Sequence, residues 1–199
     1  MHSYLTVSKV SESIYKDKGS KFIGIAFPCD SENDFISKLK EIKIKYNDSR
    51  HHCFAYKLKP DGSQIRFNDD GEPSNSAGKP ILGQIEHFKI TQVGIVVIRY
   101  FGGTKLGVGG LIKAYREAAK EAVNNNEIIN KEITSFINLN FSYAEMNTIM
   151  KLIKDYDLEI KHQQMHLNCE MTLEFPIRIK EELCSKLEHH VNIEKNFLD

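Results

Sequence analysis

A chain of 199 residues, 41% hydrophobic and 27% charged, has room for a buried core, and it lacks the glycine- or proline-rich tracts of a fibre or a disordered segment. Its 27 Lys and Arg balance 27 Asp and Glu, yet residues 1–130 carry 19 basic against 15 acidic side chains and the remainder 8 against 12, so the two parts are +4 and −4; that bias suits an anionic partner but falls short of a dedicated nucleic-acid binder. The cysteines at 29, 53, 169 and 184 are too scattered for a zinc knuckle or a redox pair, the N-terminus reads as no signal peptide, and no run is apolar enough for a membrane span, so the expectation is a cytoplasmic protein with reduced thiols, no cofactor, no metal and no membrane contact.

Strand-like segments around Tyr4 to Ile14 and Phe22 to Phe27 open the chain, separated by the turn-forming Lys16-Asp17-Lys18-Gly19-Ser20. Ser31 offers an N-cap to a helix from about Glu32 to Tyr46 whose inner face is Phe35, Leu39, Ile42 and Tyr46. His52 to Leu58 and Gln64 to Asn68, joined by Lys59-Pro60-Asp61-Gly62-Ser63, form a hairpin with Phe54, Tyr56 and Leu58 on the core face and His51, Cys53 and Ala55 on the other. Val93 to Phe101 is apolar on both faces until Arg99, as in a central strand, and ends in glycines. The helix that follows carries Leu111, Ala114, Tyr115, Ala118, Ala119, Ala122 and Val123 on one side and stops at Asn124-Asn125-Asn126.

From Glu132 the pattern restarts. Ile133 to Phe141 alternates as a strand, and Ser142-Tyr143-Ala144-Glu145 has the form of a capping box before a helix with Met146, Ile149, Met150 and Ile153 inward. Two further strands follow, the second with Leu167, Cys169, Met171, Leu173 and Phe175 on one face, and then a helix bearing Ile179, Leu183 and Leu187. Strand, helix, strand, strand, helix is most of a ferredoxin-like unit, giving an α+β chain with one domain over 1–128 and another over 131–199.

Two loops, Asp69 to Pro80 and Gly102 to Gly110, hold seven of the twelve glycines. A strand, a glycine loop and a helix start gather free amide groups, and Arg99, Lys105 and Lys113 add formal charge, so a phosphate or carboxylate is the natural guest. The candidate partner-binding set is therefore Arg99, Tyr100, Gly102, Gly103, Lys105, Gly107, Gly109, Gly110 and Lys113, walled by His51, Asp69, Asp70, Glu72, Ser74 and Ser76. The P-loop fingerprint fails, since Val108 and Gly109 stand where Lys and Ser/Thr belong, and Gly107-Val108-Gly109-Gly110 does not complete the dinucleotide fingerprint. Asp69, Asp70 and Glu72 have the chemistry for magnesium but also that of ordinary turn residues, and Ser74 and Ser76 lack a nucleophile elbow.

The segments Asp69-Asp70-Gly71-Glu72-Pro73-Ser74, Ala77-Gly78-x-Pro80-Ile81-Leu82 and Val97-x-Arg99-Tyr100-Phe101-Gly102-Gly103-x-Lys105-Leu106-Gly107-x-Gly109-Gly110-Leu111-x-x-Ala114-Tyr115 resemble the signature of the IMPACT/YigZ family, with His51 and Ala55-Tyr56 also fitting. Asn75 and Ser76 depart from a usual Gly-Thr; Asn tolerates left-handed backbone and Ser keeps the hydroxyl. The resemblance implies an N-terminal α+β domain like one in a ribosomal protein and like domain IV of elongation factor G, then a ferredoxin-like domain similar to that factor's domain V. Eukaryotic members are implicated in translational control through a starvation-responsive kinase pathway, using a partner-binding domain with no counterpart in this sequence, so that mechanism is not expected to transfer. Two functions stay open: a translation regulator meeting the ribosome, RNA or a protein of the translation machinery through the glycine loop, or an enzyme on a small phosphorylated or peptide-like substrate using Asp69, Asp70 or Glu72 with His51 assisting.

Overall fold

The computed structural model describes residues 1–188 and 193–198, which divide into two compact units, Ser3–Lys131 with Met1 and Glu132 onward with His2. The first unit runs β1 (Ser3–Val7), β2 (Ser11–Asp17), β3 (Ser20–Pro28), α1 (Glu32–Lys45), β4 (His51–Leu58), β5 (Gln64–Asn68), α2 (Gly78–His87), β6 (Val93–Tyr100), α3 (Gly107–Asn124) and β7 (Ile128–Glu132). Five strands make one antiparallel sheet in the order β2-β3-β6-β4-β5, while β1 pairs β7 apart from it. The stretch expected as one strand from Tyr4 to Ile14 is thus two, in different sheets.

Residue periodicity explains the layers. In β6 every residue from Val93 to Arg99 is buried, because α2 and α3 cover one face of the sheet and α1 the other. Cys53, Ala55, Ile95 and Val97 join Ile81, Ile85, Ala114, Tyr115 and Ala118 in one core; Tyr56, Leu58, Val96 and Ile98 join Phe35 and Ile42 in the other. Both faces of β4 are therefore core, where one was expected, and each large apolar side chain so buried contributes about 1.5–3 kcal/mol. Ser31 caps α1 as expected, its hydroxyl accepting from Asp34 N–H at 3.1 Å.

The second unit runs β8 (Thr134–Ser142), a 3-10 turn at Tyr143–Glu145, α4 (Met146–Tyr156), β9 (Glu159–Gln164), β10 (Asn168–Pro176), α5 (Lys180–Glu188) and β11 (Ile193–Leu198). Its antiparallel sheet has the order β11-β8-β10-β9. Alternation along β10 buries Cys169, Met171, Leu173 and Phe175 against Ile149, Leu152, Leu183 and Leu187. Ser142 makes no side-chain cap bond: the 3-10 turn intervenes, and the expected capping box does not close. The last strand, β11, was not signalled by the sequence pattern.

Candidate functional site

A cavity of about 720 Å³ opens where the end of β6, the loop into α3, the start of β4 and the Glu72-Pro73 turn meet. Its floor is ionic. Arg99, 8% exposed, sits at the only polar position of a buried strand, and a buried guanidinium needs a carboxylate because desolvation otherwise costs several kcal/mol. Glu72, its side chain 4% exposed, supplies it at 2.6 Å and also accepts from the Tyr115 hydroxyl at 2.8 Å. Arg99 spends Nη1 on Glu72 and leaves its buried Nε without an acceptor. Its guanidinium also lies over the rings of Phe22 and Phe101, at 5.6 and 5.5 Å.

The carboxylates expected to wall the site have structural partners. Asp69 accepts from the N–H groups of Asn75, Ala77 and Gly78 at 2.8–2.9 Å, so it caps α2 from eight residues upstream, and its negative charge complements the helix dipole. Asp70 holds the His52 N–H with its carboxylate at 2.7 Å. Ser76 is buried, its hydroxyl donating to the Pro73 carbonyl at 2.6 Å, and Ser74 accepts from Asn75. Asn75 has φ of +61°, the left-handed backbone its side chain tolerates. Among the described residues no three His, Cys, Asp or Glu side chains converge to hold a metal ion.

His51 donates Nδ1–H to the Asp70 carbonyl at 2.9 Å, since a carbonyl can only accept. The ring borders the cavity. Cys53, on the same strand face, donates toward the Asp69 carbonyl at 2.9 Å, with the Tyr115 hydroxyl 3.3 Å from its sulfur. Burial pushes its thiol well above the usual range, as it does the Tyr115 phenol, so Cys53 is an inert core thiol and no nucleophile. Tyr100 gives its hydroxyl to Asp48 at 2.6 Å, which raises it to about 12.

The glycine loop serves two ends. Gly102 is needed for packing: a Cβ there would lie 1.9 Å from the Gly19 carbonyl carbon, where the loop crosses the β2–β3 turn. Gly107, at φ +71°, begins α3, four residues before the expected start at Leu111. Unlike α2, α3 has no side chain on its N-terminus, its cap position being Leu106, so the amides of Gly107, Val108 and Gly109 meet no acceptor among the described residues. They open beside Lys105, which lines the cavity with Gly107 and Val108.

Of the expected residues, then, the cavity gathers His51, Glu72, Arg99, Tyr100, Lys105 and Gly107. Lys113 lies exposed farther along α3, and Gly103, Gly109, Gly110, Asp69, Asp70, Ser74 and Ser76 stand outside the lining. Arg50, exposed ahead of β4, lines the cavity and was not anticipated, since nothing in its local pattern separates it from any surface arginine. Tyr115 was assigned only to the core face; a tyrosine buried on a helix needs a partner for its hydroxyl, and that was the available signal.

Comparison with known proteins bears on the first unit most directly. Residues 18–123 match the family model of the Impact N-terminal domain. A curated IMPACT family member of Haemophilus influenzae is 32% identical over 172 residues, 85% of this chain and 84% of that protein. The crystal structure of a hypothetical protein superposes with a TM-score of 0.78 at 28% identity, covering 100% of this chain and 98% of the other. The two-domain translational regulator Yih1 is a distant likeness, with a TM-score of 0.37 at 28% identity over 61% of this chain and 47% of that one.

Proposed function

The chain belongs to the IMPACT family, and from that premise we propose that it is a cytoplasmic regulator of translation whose first unit holds a phosphate-bearing partner, the RNA of the ribosome, at the mouth of the cavity. One observation carries the reading: α2 has a carboxylate, Asp69, on its N-terminus, whereas α3 offers uncapped amides at a cavity that Lys105 and Arg50 also line. An N-terminus left open at a cavity lined by two exposed cations attracts an anion by about 0.3–1 kcal/mol from the helix alone, and charge-assisted bonds from the side chains add to that. The finer architecture belongs to the same proposal: an N-terminal domain like domain IV of elongation factor G and a ferredoxin-like second domain, for which the strand order β11-β8-β10-β9 speaks. Among the described residues no helix is long and apolar enough to cross a membrane.

Arg99 takes a different part from the one its sequence position suggested. It anchors the floor of the site through Glu72, and the phosphate contacts fall to Lys105, Arg50 and the amides. The alternative of an enzyme using Asp69, Asp70 or Glu72 is weakened because each of these carboxylates is bonded within the protein.

Co-sedimentation with purified ribosomes at low and moderate salt tests the reading. Saturable binding that Lys105→Ala and Arg50→Ala each weaken several-fold is expected, the loss being larger at low salt because each variant has one phosphate contact fewer to be screened. Absence of binding at either salt would sink it.

A further inference from the structure

The cavity is larger and more apolar than a phosphate group requires. At about 720 Å³ it falls in the size range of sites for whole small ligands. Beside the ionic floor it is lined by Pro73, Leu106, Val108 and Leu111, and by Phe101, 58% exposed, whose ring centre lies 5.5 Å from the Arg99 guanidinium. A large aromatic ring that is exposed and yet set against a buried cation is a stacking platform, and it lies on the same cavity as the open amides of α3.

We propose that this site takes one unpaired nucleotide of single-stranded RNA, its base stacked on Phe101 and its phosphate on the amides of Gly107 to Gly109 with Lys105. This rests on the phosphate-bearing partner inferred above and narrows it to RNA that is not in a duplex. In a duplex each base is stacked between its neighbours, and its aromatic face cannot reach a ring inside a concave wall. In a single strand the base turns out freely, and stacking on an aromatic side chain tolerates any base. The buried Arg99–Glu72 pair is neutral as a whole, so the floor does not repel the adjoining phosphate, and the Nε of Arg99 is left without a partner.

Fluorescence anisotropy decides this with a short labelled single-stranded RNA of mixed sequence and the same strand in a duplex, using the full chain and the variants Phe101→Leu, Phe101→Tyr and Lys105→Ala. Phe101 is exposed, so its variants fold, which a urea unfolding curve checks. The single strand is expected to bind about tenfold tighter than the duplex, Phe101→Leu to abolish that preference, and Phe101→Tyr to keep it. Lys105→Ala weakens both RNAs. Equal binding of the two RNAs with no effect of Phe101→Leu would overturn the stacking proposal, while the Lys105 effect would leave the phosphate reading standing. Failure of both RNAs to bind would also overturn it, and ribosome co-sedimentation then separately decides the broader reading.

Discussion

Arg99 shows how burial changes the meaning of a residue. In the sequence it stands at the end of an apolar strand, next to a glycine loop with lysines, and reads as a cation ready for a ligand. In the fold it is 8% exposed and paired with Glu72, 4% exposed, at 2.6 Å. An arginine within a strand buried on both faces implies a carboxylate from elsewhere in the chain, but no spacing rule identifies Glu72, 27 residues away. The pairing makes a stability prediction. Arg99→Met leaves Glu72 buried and unpaired and should cost about 3–5 kcal/mol. Adding Glu72→Gln, which removes the stranded charge and keeps an acceptor for Tyr115, should recover part of that loss. Urea unfolding of both variants checks it; a single-variant cost below about 1 kcal/mol would mean that the pair is solvated.

Elements with strong periodicity were legible: β6 as a run apolar on both faces, β10 as strict alternation, and α1 and α3 from their inner stripes. What escaped was set by contacts between distant segments. Gly78-Lys79-Pro80 looks like loop, yet it is the first turn of α2, where proline is tolerated because its missing N–H would have had no intrahelical acceptor. The cap that would have announced the helix is Asp69, too far upstream for a capping motif. The same three glycines that read as loop in Gly107, Gly109 and Gly110 open α3. Since Asp69 works as the cap of α2, Asp69→Ala should lower stability by about 1 kcal/mol. The substituted protein should still co-sediment with ribosomes like the parent once folded. Loss of binding without loss of stability, read from a urea curve beside the sedimentation assay, would instead make Asp69 a contact for the partner.

At the scale of the molecule, the sequence pattern restarts near Glu132 and the charge is uneven, +4 over residues 1–130 and −4 beyond. The pattern located the stretch of chain that builds the cavity. It did not show which groups are spent inside the protein and which are left for a partner, because that depends on side chains brought together from β4, β6, the Glu72 turn and α3. The first group includes Asp69, Asp70, Glu72 and Arg99; the second includes Lys105, Arg50, Phe101 and the first amides of α3. The functional claim rests on this division, and the amides are its most direct reporters, since an anion bound there must accept from them. The measurement is a titration of the nitrogen-15-labelled chain with the short single-stranded RNA, following each backbone amide by NMR. The amides of Gly107, Val108 and Gly109 should show the largest downfield shifts, with Lys105 and Phe101 moving alongside them. Saturating shifts on some other surface, with these amides unmoved, would contradict it.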